Sequence, residues 1–197
     1  MRRSLIVWIA VMAAVVAAAG LGAVVLSRWL ASEVEAPPSE GGRAAAASAD
    51  EARKIKARLF YVAEDGVHLV PVEREVPFGA TTADQARRIV EAQLEPAPEG
   101  LVSPIPAGTR LRALYLTEAN QAFVDLSAEA RSAHPGGLTN EILTVYSVVD
   151  SLTVNLPVLT GVQILVDGHE VDTLAGHVDL RRPLVRSTFW IDEGTPR

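Results

Sequence analysis

Apolar and polar positions alternate, repeat every three to four residues, or run unbroken in different parts of this chain, and each pattern predicts a different element. Leu5 to Leu26 runs for 22 residues without a charge. As a helix that is about 33 Å, enough for a bilayer core of ~30 Å. Ile55 to Val62 alternates, with Ala57, Leu59 and Tyr61 on one face, and reads as a strand. Glu64-Asp65-Gly66 turns it into a partner over His68–Val76, where Pro71 demotes the strand to a sheet edge or gives it a bulge. Ala83 to Leu94 follows a helical period, with Thr82 as its cap, Ala86, Ile89, Val90 and Leu94 inward, and Arg87, Arg88 and Glu91 outward. Leu111–Leu116 and Ala122–Leu126 read as two strands around Glu118-Ala119-Asn120.

The stretch Leu138 to Gly168 organises the rest. Thr139 is placed to cap a helix in which Ile142, Val145, Tyr146, Val149 and Leu152 share one face. Asn140, Glu141, Thr144, Ser147, Asp150 and Ser151 form its expected wet side. Pro157 and Gly161 stop the helix, Val162–Val166 is a short buried strand, and Asp167-Gly168 turns the chain. Val171 to Leu184 has no clear period and is expected to pack along the sheet. Hairpins alternating with helices predict an α+β domain: a small mixed or antiparallel sheet of four to six strands with two helices packed on one face, preceded by an N-terminal transmembrane helix.

The helix–Pro–GVQILVDG run resembles the end of a GerM-type (GerMN) sporulation and germination domain. LFYVAEDG at Leu59–Gly66, SPIPAGTRL at Ser103–Leu111 and AFVDLS at Ala122–Ser127 agree with it, in order, across roughly residues 55–185. The resemblance implies an extracytoplasmic, non-enzymatic domain that takes part in assembly at the bacterial cell envelope. Some relatives carry two such domains, and this chain carries one. Asp125 in VDLS and Asp167 in VDG recur in the motifs of that family. They read either as a contact surface at strand ends or as turn residues bonding local backbone, and turn chemistry is the commoner use.

Charge and composition narrow the choices. The chain of 197 residues has no cysteine, so it has no disulfide, thiolate metal site, catalytic thiol or lipidated cysteine. Its net charge of −6 falls entirely on residues 51–197, since the first fifty carry four basic and four acidic side chains. An acidic domain is a poor partner for nucleic acid. Arg2 and Arg3 precede the apolar span, which places the N-terminus inside. Ala17-Ala18-Ala19 leaves cleavage as a secretory signal open, but the apolar run continues past it, which favours an uncleaved anchor. The expected plan is residues 1–27 as cytoplasmic tip and anchor, 28–54 as a flexible Pro/Gly/Ala linker, 55–186 as the domain, and 187–197 as a tail. The protein is then a single-pass protein of the bacterial cytoplasmic membrane, anchored through residues 5–26, with its domain outside.

No chemistry converges. Asp167, His169, Asp172, His177 and Asp179 lie close in sequence, but no histidine pair has the spacing of two ligands on one helix face. There is no nucleophile elbow. The expectation is no catalytic residue, no cofactor and no metal. The leading functional reading is a non-catalytic interaction module whose partner is itself or another envelope protein; the alternative is a cell-wall-associated ligand-binding domain. The predicted contact residues are His68, Val70, Val72 and Arg74 on the hairpin edge, with Asp125 and Asp167.

Overall fold

Strand β1 (Lys54–Val62) buries Ala57, Leu59 and Tyr61 on one face, as its alternation predicts. Its opposite face buries Phe60 in a second, smaller cluster with Leu69 and Leu143. These features belong to a computed structural model that describes residues 53–192. The predicted anchor and most of the linker lie outside the described residues. Among the described residues, no helix is long and apolar enough to cross a membrane.

β1 pairs antiparallel with β2 (Leu69–Pro77), Phe60 opposite Pro71. Helix α1 (Thr82–Leu94) follows. Its cap is Thr81, one residue earlier than expected. The Thr81 hydroxyl accepts from the Asp84 N–H at 3.1 Å, and the Asp84 carboxylate accepts from the Thr81 N–H at 3.3 Å. β3 (Leu111–Leu116) and β4 (Gln121–Leu126) form the second hairpin. A short α2 (Glu129–Ser132), α3 (Leu138–Asn155), β5 (Gly161–Val166) and β6 (His169–Glu170) complete the order. β5 runs parallel to β4, and β6 returns antiparallel through Asp167-Gly168. Both turn residues have positive φ, 52° and 80°, as a two-residue hairpin of the primed type requires.

The six strands do not form one sheet. They divide into a two-stranded sheet, β1-β2, and a four-stranded one, β3-β4-β5-β6. The reason lies along the outer edge of β1, where two helix side chains stand in for a neighbouring strand. Asn155 of α3 accepts from the Arg58 N–H at 2.9 Å and donates to the Arg58 carbonyl at 2.8 Å. Gln93 of α1 does the same for Phe60, at 2.9 and 2.7 Å. A primary amide presents one donor and one acceptor side by side, as a strand does, so both backbone positions are satisfied without another strand.

Helix α3 corrects a second expectation. Its apolar face is as predicted, with Val145, Val149 and Leu152 fully buried and Tyr146 half-buried. The side read as wet is buried too: Glu141, Ser147, Asp150 and Ser151 are 0% exposed and Thr144 1%. Only Asn140 of that set is exposed. α3 touches β1, β5 and α1, so little of its girdle is left for water. Each of these buried side chains instead makes at least one hydrogen bond within the protein, although Asp150 Oδ2 has no partner among the described residues. Thr144 donates to the Pro104 carbonyl at 2.6 Å, Ser147 to the Thr144 carbonyl at 2.8 Å, and Ser151 to Gln93 Oε1 at 2.8 Å. The predicted Thr139 cap is also displaced. Gly137, at φ 86°, stands at the N-cap with no side-chain bond.

Residues read as the start of a tail are docked. Leu184 exchanges two backbone hydrogen bonds with Val162, both 2.8 Å. The chain comes so close here that a Cβ on Gly161 would lie 3.1 Å from Pro183 Cβ, which explains the glycine. Ser187 then donates to Asp150 Oδ1 at 3.1 Å. A 3₁₀ turn at Thr188–Trp190 sets Trp190 against Tyr146, ring centroids 6.4 Å apart. Finally Ile191 bridges to Leu69, and the Asp192 N–H donates to the Leu69 carbonyl at 2.8 Å. Leu184–Asp192 is therefore a strap from the four-stranded sheet, across α3, to the two-stranded one.

Candidate interaction surfaces

Strand β2 has one neighbour, so one row of its backbone groups faces away from the sheet. In an antiparallel pair successive residues alternate between facing the partner and facing away. The Ala63 N–H donates to the His68 carbonyl at 2.9 Å, so His68 faces β1. Counting on, Val70, Val72 and Arg74 also direct their backbone to β1. Leu69, Pro71, Glu73 and Glu75 direct theirs outward. The alternation agrees with the other strand: Arg58 and Phe60, opposite Glu73 and Pro71, are the two residues whose backbone turns away to the helix amides. Pro71 thus sits where its missing N–H takes nothing from the hairpin.

The predicted edge residues are thereby placed one step out of phase with the open row. Val70 and Val72 pack against the main core. Arg74 donates to the Tyr61 hydroxyl at 3.0 Å and to Glu95 Oε2 at 2.8 Å. His68 Nδ1 lies 2.5 Å from Asp65 Oδ2, inside the loop that Asp65 organises by accepting from the Val67 and His68 N–H groups. The exposed side chains flanking the open row are Glu73 and Glu75, which face Lys56 and Lys54 across the hairpin at 3.5 and 3.1 Å. The Leu69 end of the row is already occupied by Asp192.

Asp125 and Asp167 do come together, at the matching ends of the parallel strands β4 and β5. Asp125 is buried on the face opposite Ala122, Val124 and Leu126, and its Oδ1 accepts from the Gly168 N–H at 2.7 Å. It therefore braces the β5–β6 turn from the neighbouring strand, a long-range bond where the expectation was one to its own local backbone. Arg112 ties the pair, with Nη1 at 3.5 Å from Asp125 and 3.3 Å from Asp167. The sequence reading missed Arg112. It is the extra residue of a bulge, since Leu111 pairs with Leu126 and Ala113 with Asp125. A lone arginine in an otherwise apolar strand was the only available signal.

The acidic and histidine side chains after β5 are not gathered. Asp179 is held by Arg181 at 2.8 Å, and His177 Nδ1 lies 3.1 Å from Glu141. Among the described residues, no group of three or more His, Asp or Glu side chains is placed to hold a metal ion. A cleft of about 510 Å³ lies between Leu94–Pro96 and Ser103–Gly108, walled by four prolines: Pro96, Pro104, Pro106 and Pro135.

Residues 58–172, more than half of the chain, match the model of the Germane family, described as sporulation and spore germination. The chain belongs to this family. Solved structures agree at the level of fold. The first GerMN domain of the sporulation protein GerM from Bacillus subtilis aligns with a TM-score of 0.51 and 19% identity, over 67% of this chain and 97% of that one. The tandem GerMN domains of the same protein give 0.50 and 19%, over 65% of this chain but only 44% of theirs. A provisionally assigned lipoprotein from Clostridium perfringens gives 0.47 and 23%, over 68% and 89%. No curated protein matches the chain.

Proposed function

We propose that this GerMN domain is a non-catalytic interaction module of the bacterial envelope, held at the cytoplasmic membrane by Leu5–Leu26 and presented outside it. The observation that carries this reading is the outward row of β2. Pro71, Glu73 and Glu75 offer backbone groups to an incoming strand from itself or another envelope protein, the geometry of strand addition. The two glutamates, each near a lysine, keep that row from pairing indiscriminately. Taken as a linker, the stretch of about 25 residues after the span gives an r.m.s. reach of roughly 25–30 Å. Membrane-held copies then meet at raised effective concentration, so a weak contact suffices.

Cysteine cross-linking in membranes tests this, because no native cysteine interferes. Glu73→Cys and Glu75→Cys in the full chain are expected to give a cross-linked species, and Glu118→Cys in the β3–β4 turn is expected to give none. Cross-linking at Glu118 and not on β2 would move the contact elsewhere. No species at any position would overturn the assembly reading.

A further inference from the structure

The strap has an outer surface as well as an inner one. Phe189 is 74% exposed and Val185 64%, the two largest exposures among the bulky apolar side chains described, apart from Val102 at 65%. Phe189 is held out by stacking edge-on against Trp190 at 4.7 Å, and Trp190 in turn leans on Tyr146. Residues 180–191 contain Arg181, Arg182 and Arg186 and no carboxylate. Their net +3 sits on a chain of −6, so everything else carries −9. Asp179 takes Arg181, leaving Arg182 and Arg186 as the exposed cations. The strip is fixed at one end by Val162 and at the other by Leu69, so its apolar side chains are presented on an ordered backbone. It also lies beyond residue 172, where the family match ends.

We propose that this strip, Leu180–Ile191, seats the domain on the headgroup surface of an anionic lipid bilayer. Exposed aromatic and aliphatic side chains beside arginines match the chemistry of the membrane interface, where rings settle at headgroup depth and cations meet lipid phosphate. The rest of the chain explains why a bilayer is the occupant. The 22-residue charge-free span and the linker after it keep a bilayer within reach of the strip. A second, weak membrane signal then acts at high local concentration. Asp65 and Asp192, which line a hollow together with Phe189 and Ile191, mark where the seat ends. The proposal rests on the anchor in the functional reading above, and the test separates the two.

The full chain is reconstituted into vesicles of phosphatidylcholine alone, or of phosphatidylcholine with phosphatidylglycerol. A single Phe189→Cys or Val185→Cys carries an environment-sensitive nitrobenzoxadiazole dye. In the anionic vesicles the dye is expected to emit at shorter wavelength and to be quenched by spin-labelled lipid. Added salt or Arg182→Glu is expected to diminish both effects. A dye at Glu118→Cys is expected to stay in water. An aqueous signal at both strip positions in chains that float with the vesicles overturns the seat and leaves the anchor. Equal burial in neutral vesicles, or burial that appears only as copies per vesicle increase, overturns it as well. Failure to float removes seat and anchor together.

Discussion

Replacing Glu141 by alanine is expected to destabilise the domain by about 3–5 kcal/mol and to loosen the segment from 173 to 178. The carboxylate is fully buried. Oε1 accepts from the Leu174 and Ala175 N–H groups at 2.8 and 2.9 Å, and Oε2 from the His177 N–H at 2.8 Å. Alanine leaves three backbone donors without an acceptor, each at a cost of roughly 1–3 kcal/mol. Glutamine does not rescue the site, because its amide nitrogen replaces one acceptor with a donor facing other donors. Burial by itself raises the pKa of Glu141, but the N–H groups of Ala175, His177, Val178 and Leu174 outweigh it and hold the carboxyl below its ordinary value. The sign follows: a depressed folded value stabilises above the unfolded pKa, and that contribution fades as pH falls through the folded one. The gap between native chain and variant is therefore expected to be full at neutral pH and to narrow only in acid. Urea unfolding with hydrogen exchange at the Ala175 and His177 amides checks it. An unchanged midpoint and unchanged exchange would show that the loop holds itself.

Glu141 also shows why parts of this fold were legible in the sequence and parts were not. Alternation identified the strands, and the three- to four-residue period found the core faces of both long helices, because burial on one side leaves that signature. The Asp167-Gly168 turn was readable since few residue pairs accept two positive φ values. What periodicity cannot show is a polar side chain buried against a partner distant in the chain. Glu141, Thr144, Ser147, Asp150 and Ser151 resemble a solvent face in any window of sequence. Ser147 turns back on its own helix, but Glu141, Thr144, Asp150 and Ser151 find their partners at Leu174, Pro104, Ser187 and Gln93, and only the folded chain brings these near. The same holds for Gln93 and Asn155, whose amides replace a strand beside β1 and so divide the sheet. The phase of the β2 edge was lost for another reason. Whether Val70 or Pro71 faces outward depends on the register of the hairpin, and a loop of uncertain length does not fix register.

Asp150→Asn is expected to stabilise the domain in mild alkali and to do little in mild acid. Asp150 is fully buried; Oδ1 accepts from the Ser187 N–H, and Oδ2 has no partner among the described residues. Burial pushes its pKa up to about 7, against the opposing pull of the Ser187 N–H and the Arg186 charge. The unfolded carboxyl ionises near 3.8. Between those two values the folded chain binds the proton and the unfolded chain does not, so this group's contribution falls as pH rises from about 4 to about 7 and stays lost above it. At about 1.4 kcal/mol per unit the penalty reaches roughly 4 kcal/mol. Asparagine removes the charge and keeps the oxygen that accepts from Ser187. Its amide N–H groups take the position of Oδ2 without a clear acceptor, which returns about 1–2 kcal/mol of cost. The net gain at pH 8 is then about 2–3 kcal/mol, or a Tm higher by roughly 5–10 °C for a domain of this size. At pH 5, where the native side chain is already protonated in the fold, the Tm values of the two proteins are expected to come within a few degrees. Thermal unfolding at both pH values decides it. A variant that melts lower than the native chain at pH 8 would mean that the ionised carboxylate, through Ser187 and Arg186, is what fastens the strap over α3.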